Sequence, residues 1–389
     1  MKKYYFILAA AALGFASCSS DETIAENQSL NEANEINFRP LVEGVTRAAD
    51  IDIDALSDFY VTANYAGVSP ASRNYFGGTT PETFTEGGTS GTYTSTTKHY
   101  WPASEALDFI AFAPATGTDI TRTDSTHFSV TSNATPSAQQ DYIYAVVRNQ
   151  TKADNGAGIV LNFRHALSKV IIQLKNTATD LKFTVKDVAI GYIKPTGAFA
   201  PVYKTSDGDQ IGFCTNGTTI SNTTIASESN YYITGAAWTA SGTETAYSQT
   251  AGTTAYAANT TTPVALTNDM ILIPQALTVA TAYSAASKGS GFNGAYISVE
   301  LKIQDADNHY IIGTAADNGY VTAMWPLTAA TWLPGHKYTY TLDLAGGGYY
   351  PTNQDTDADL DQILEGAEIK FVTVTVDGWG AAINSNVGM

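Results

Sequence analysis

Cysteine is nearly absent: the 389 residues contain two, Cys18 and Cys214. Two cysteines cannot build the disulfide framework of a small secreted scaffold, so stability has to come from a buried core. Charge is scarce as well, at 15% of residues against roughly 25% in ordinary soluble domains. Basic side chains are the minority within it, 20 against 37 acidic, for a formal net charge of -17. No cluster of Lys or Arg interrupts that balance. Binding to nucleic-acid phosphates or to anionic membrane surfaces is therefore excluded as a main role. Chemical motifs are missing too. His99, His127, His165, His309 and His336 form no HExxH or other short-spaced pair, and there is no GxSxG elbow, GxxxxGK[ST] cradle or strand-to-helix GxGxxG turn. Asp355-Thr356-Asp357-Ala358-Asp359-Leu360 opens like a calcium loop, but Leu360 stands where the sharp turn needs Gly and Gly366 where a bidentate Glu is needed. Asp50-Ile51-Asp52-Ile53-Asp54 fails in the same way at Ala55. No metal site and no cofactor is expected. Paired carboxylates for glycoside hydrolysis come from distant strands, so motif reading does not reach them.

Long apolar runs are confined to the start. Lys2 and Lys3 precede an apolar stretch over residues 4–16, followed by Ala16-Ser17-Cys18. That is the pattern of a secretory signal over residues 1–17. About 13 apolar residues fall short of the ~20 that span a bilayer as a helix. Cys18 directly after small residues resembles a lipoprotein lipobox, in which the cysteine sulfur is acylated and becomes the mature N-terminus. Cys214 is then alone, and its apolar neighbours Ile211, Gly212 and Phe213 predict a buried, inert thiol.

What the chain does have is 44% hydrophobic residues, 23 Tyr and 32 Gly, with abundant Ser and Thr. This composition, with many short apolar runs between turn residues, predicts an all-β protein built from sandwiches. Residues 19–34 read as a polar tether. Glu35-Ile36-Asn37-Phe38-Arg39 alternates polar and apolar, as a half-buried strand does. Strand-like runs then recur to the end of the chain, with loops expected at 77–97 and 115–126. A loop containing Asp154-Asn155-Gly156 divides the chain into an N-terminal sandwich, 48–155, and a C-terminal one, 156–389. Near the end, Val372, Val374 and Val376 share one face of a strand and threonines the other. Trp379 closes that strand, and residues 380–389, with Ile383 and Val387, follow it.

Several phrases in order along the chain resemble the fimbrillin family, specifically the Mfa-like fimbrillins of type V pili. They are the lipobox at Cys18, Ile36-Asn37-Phe38 leading to Thr46-Arg47-Ala48, and Tyr100-Trp101-Pro102 with Leu107-Asp108-Phe109-Ile110-Ala111-Phe112-Ala113-Pro114. Asp141-Tyr142-Ile143-Tyr144-Ala145, the run from Leu161 to Val170, Trp332-Leu333-Pro334-Gly335-His336-Lys337-Tyr338 and the final strand complete the set. The resemblance implies two tandem transthyretin-like β-sandwich domains, exported as a lipoprotein to the outer membrane and ending in a surface fimbrium. It implies no catalysis. A trypsin-like protease would cut between Arg47 and Ala48, releasing segment 18–47 with its lipid, and Ile36 and Phe38 would be the core side chains to replace. The replacement would be a strand from the C-terminus of another fimbrillin subunit, drawn from Val372, Val374 and Val376 or from Ile383 and Val387 in the tail. Residues 1–47 hold four basic and six acidic side chains, so residues 48–389 keep 16 and 31, net -15. Asp124-Ser125-Thr126 resembles an acceptor for O-glycosylation at Ser125. A tip subunit would in addition grip a host glycan or protein. Two other readings stay open: a glycan-binding surface lipoprotein that never polymerises, and a β-sandwich glycoside hydrolase.

Overall fold

The structure is a computed structural model. It describes residues 34–42, 56–66, 74–78, 80–87, 93–115, 117, 119–122, 128–153, 155, 158–199, 201–204, 210–213, 238–266, 269–279, 293–328, 330–346, 349–351, 360–362 and 373–378. Among these, the regular structure is strands and two short 3-10 turns. The all-β expectation holds, and the reason is visible strand by strand. Tyr296–Gln304 alternates half-buried and buried side chains along most of its length, as a strand with one face on a core must. Leu107–Ala113 is buried at every position, which explains why its sequence is a near-continuous apolar run.

The first sheet runs in the order Phe38–Val42, Ile159–His165, Ile143–Gln150, Leu107–Ala113, Asp58–Tyr65, Glu82–Glu86, Tyr93–Thr94, with Asn74–Phe76 also on Asp58–Tyr65. It curls over its own inner face. Phe38 and Phe84 sit near opposite ends of the strand order, yet their rings meet edge-on at 4.9 Å. Phe59, Phe109 and Phe163 fill the same core. Glu82–Glu86 and Tyr93–Thr94 fall where the sequence predicts a loop. Each contributes one buried ring, Phe84 and Tyr93, too few to register as an alternating pattern. Ile120–Arg122 emerges from the second expected loop in the same way.

Two further sheets face each other around the second core. One is ordered Thr260–Ala265, Ser168–Asn176, His336–Asp343, Thr373–Gly378; the other is ordered Thr245–Tyr256, Lys182–Ile193, Tyr296–Gln304, Val321–Pro326, Tyr349–Pro351, Leu360–Gln362. Trp325, Trp332, Phe183 and Tyr247 lie fully buried between them. The Trp332 Nε1–H donates to the Tyr340 hydroxyl at 2.9 Å, so the polar handle of that indole is satisfied.

The chain passes from the first sheet to the second body at Ala166 and Leu167, between Ile159–His165 and Ser168–Asn176. The division expected at 155/156 falls in the loop before Ile159–His165, and that strand pairs in the first sheet. A four-stranded sheet draws on both sides of position 156, since Thr196–Phe199 lies between Phe128–Thr131 and Trp238–Ser241. A third apolar cluster holding Tyr60, Phe112, Phe128, Leu167, Phe199 and Ile273 lies behind the first sheet. Gln275 fastens an adjacent loop: its Oε1 accepts from Lys194 N at 3.0 Å, and its Nε2 donates to Lys194 O and Ile273 O at 3.1 and 3.0 Å. Gln275→Leu orphans these backbone groups and should cost about 2–3 kcal/mol in urea unfolding. A shift within about 0.5 kcal/mol, the usual size of a surface change, would contradict this role.

Candidate functional site

The opening segment is short and its alternation is strict. Ile36, Phe38 and Pro40 point inward, and Asn37 and Arg39 point to solvent. Ile36 is 2% exposed and Phe38 4%. Phe38 meets Phe84, Phe109 and Phe59 in edge-on contacts at 4.9, 5.4 and 6.3 Å. Burying such a ring contributes about 1.5–3 kcal/mol.

Hydrogen bonds hold the segment on both sides, because alternate residues of a strand turn their amides to opposite edges. On one side the Ile36 N–H donates to His99 O at 2.8 Å, and the Trp101 N–H donates to Asn34 O at 2.9 Å. On the other, the Ile159 N–H donates to Asn37 O at 2.8 Å, and Phe38–Val42 runs parallel to Ile159–Phe163. Residues 34–42 thus bridge the segment 99–101 to the sheet's strand Ile159–His165. The approach at Gly158 is tight. Its φ is +96°, and a Cβ there would sit 3.2 Å from Asn37 O, so glycine suits both the backbone and the contact.

Two features weaken the hold of this element on the sheet. Its ladder with Ile159–Phe163 is parallel, slightly weaker per residue than an antiparallel one. Pro40 lacks an N–H and is tolerated in a strand only at an edge or at its ends. Polar side chains pin the segment's N-terminal end: Lys98 Nζ reaches Glu35 Oε2 at 2.8 Å, and Lys152 Nζ bonds Asn34 Oδ1.

Of the residues singled out by sequence, Ile36 and Phe38 lie in this core. Val374 and Val376 lie in Thr373–Gly378, at the edge of the chain's own sheet, opposite Tyr340 and Tyr338. Cys18, Arg47, Ala48, Ser125, Cys214, Val372, Ile383 and Val387 lie outside the described residues. Val42, where the opening strand ends, stands five positions before Arg47.

Buried ion pairs escaped the sequence reading. Arg148 Nε donates to Asp108 Oδ2 at 3.3 Å, and the Asn149 N–H donates to Oδ1 at 2.8 Å. Burial pushes the Asp108 carboxyl above its ordinary range, while the Asn149 N–H and Arg148 pull it back. His165 Nδ1 stands 2.8 Å from Asp141 Oδ2, and Lys169 Nζ 3.3 Å from Asp269 Oδ2, both buried beside the crossing point. The one available signal was Asp108 standing alone in an apolar run. Among the described residues, Asp305, Asp307 and His309 lie close together on an exposed turn. There the His309 N–H donates to Asp305 Oδ1 at 2.8 Å, which is what a turn of this kind requires.

Fold and site together define a class: an all-β protein whose first sheet carries its N-terminal strand, Phe38–Val42, at one edge. Residues 46–379 match the fimbrillin-like family, and the chain belongs to it. A fimbrial protein of Bacteroides vulgatus is similar in structure at 13% identity and a TM-score of 0.46, covering 89% of this chain and 99% of that one. A fimbrial assembly protein of Parabacteroides distasonis is similar at 9% identity and a TM-score of 0.36, covering 84% and 99%. No curated protein matches the chain.

Proposed function

We propose that the protein is a pilus subunit that polymerises by exchanging its opening strand. Exported with a lipid on Cys18, it is held at the outer membrane until a trypsin-like protease cuts after Arg47. Residues 34–42 are then free to leave the first sandwich. Their departure uncovers the inner face that Ile36 and Phe38 cover, together with the backbone edges at 99–101 and 159–163. A C-terminal strand of another fimbrillin subunit enters the slot, its main chain renewing the hydrogen bonds and its alternate side chains setting the register. The structural role is non-enzymatic, at the cell surface, with adhesion as its purpose.

One observation carries the reading: the strand that covers the first core, Phe38–Val42, stands five positions before Arg47. The family match beginning at residue 46, beyond that strand, agrees with a mature subunit that lacks it.

Limited trypsin digestion of the chain from residue 19 tests this. The expected result is an early cut after Arg47, an otherwise intact body over residues 48–389, and a ladder of oligomers on native gels. A chain resistant at Arg47, or one cut there that stays monomeric at high concentration, would overturn strand exchange and favour a surface lipoprotein that never polymerises.

A further inference from the structure

Lys169 is 1% exposed and stands among the largest fully buried side chains of the protein. A lysine is hardly ever buried so completely unless it is paired. Alternation along Ser168–Asn176 explains where it goes: Val170, Ile172 and Leu174 line the second core, so Lys169 and Ile171 turn to the opposite face. On that face the neighbouring strand Met270–Leu272 sets Ile271 directly across from Lys169. Asp269, two residues before Ile271, falls on the same side, and its Oδ2 lies 3.3 Å from Lys169 Nζ with the carboxylate side chain 8% exposed. Ile171 and Ile271, both buried, wall the pair with hydrocarbon.

We infer that this pair is the site of a covalent self-modification, an amide bond between Lys169 Nζ and Asp269 Cγ. Holding an ammonium and a carboxylate away from water costs each its hydration, and transfer of the ammonium proton to the carboxylate neutralises both. That leaves an amine facing a carboxylic acid. The Nζ lone pair attacks Cγ, the bond from Cγ to the protonated oxygen breaks, and that hydroxyl leaves with one amine proton as water. Nothing is oxidised or reduced, and no co-reactant is consumed. Two conditions favour the step here: the strand pairing fixes the reacting groups side by side, and the site excludes the water that would reverse the reaction. Lys98, Lys175 and Lys186 also stand beside carboxylates, but their side chains are 58%, 30% and 44% exposed. Their ammoniums keep water, so the same condensation is not expected of them.

The bond ties Ser168–Asn176 to the turn ahead of Met270–Leu272 and closes a loop of about 100 residues, a length at which a cross-link restricts the unfolded chain strongly. In a chain with two cysteines it supplies a covalent tie that needs no oxidising surroundings. The inference is independent of the strand exchange proposed above.

Mass spectrometry of the denatured chain from residue 19 tests it. The parent should be lighter than its residues require by one water molecule. Trypsin should fail to cut after Lys169 and instead yield a branched peptide joining residues 165–175 to 205–288, the stretches that flanking Lys and Arg define. Lys169→Arg keeps a cation beside Asp269 but has no nucleophilic amine, so it should regain the full mass and melt roughly 10–20 °C lower. Lys337→Arg, altered at the position that pairs with Lys169 in the parallel strand His336–Asp343, should keep both the missing water and the branched peptide. A parent of full mass that trypsin cuts after Lys169 overturns the inference, and this reading needs no variant to fold. A Lys169→Arg chain as light as the parent also overturns it, since the loss would then lie elsewhere. Either outcome leaves strand exchange standing on its own test.

Discussion

Phe38→Ala in the uncut chain should destabilise the first sandwich by about 3–5 kcal/mol, the range for emptying a buried aromatic site. The ring is 4% exposed and lies between Phe84, Phe109 and Phe59, so its removal leaves a cavity that three aromatic neighbours must collapse around. The strand that carries it adds little of its own to resist, being parallel to its partner and interrupted by Pro40. Asn37→Ala, one residue away and facing solvent, should stay within about 0.5 kcal/mol. Urea unfolding of both variants measures the contrast. The same change should also speed release of the strand after a cut at Arg47, since the lost contacts are those that retain it. Equal midpoints for the two variants would mean that the inner face of residues 34–42 does not hold the sandwich closed.

The second large effect concerns a charge pair. Arg148→Met should cost about 3–5 kcal/mol at neutral pH, because it leaves the Asp108 carboxylate buried with the Asn149 N–H and without its guanidinium. The pH dependence has a definite sign. Burial already raises the folded-state pKa of Asp108 above its ordinary value. A group raised on folding contributes stability below its unfolded pKa and loses it as pH rises through the folded one. In Arg148→Met the guanidinium that lowers the pKa is gone while the Asn149 N–H stays, so the pKa rises further. The deficit relative to the parent should therefore be greatest near pH 7–8 and shrink as the pH falls toward the ordinary carboxylate range. Asp108→Asn combined with Arg148→Met should recover part of the loss. Urea midpoints across pH 4–8 would show it, and a deficit independent of pH would refute the account.

Much of this architecture was legible residue by residue. Glu35-Ile36-Asn37-Phe38-Arg39 reads as a strand with Ile36 and Phe38 inward, and both are buried. Leu107–Ala113 was equally plain as a near-continuous apolar run, and His336–Asp343 as an alternating one. Glu82–Glu86 and Tyr93–Thr94 were not, because one inward ring apiece makes no period. Thr245–Tyr256 hides for a related reason: its row of Thr, Ser, Ala and Gly buries Tyr247 and Tyr256 and reads as a loop between them. The ion pairs were invisible because Asp108 and Arg148 stand 40 residues apart.

By itself the sequence determined the β class and the inward or outward aspect of its clearer strands, since alternation is a property of neighbouring residues along one chain. The choice of partners belonged to the tertiary structure. That residues 34–42 bridge 99–101 and 159–163, lie parallel to the latter and set Phe38 against Phe84 depends on contacts between segments distant in the chain. Many pairings of similar strands satisfy the same alternation, and it is the joint packing of the enclosed side chains that selects one of them.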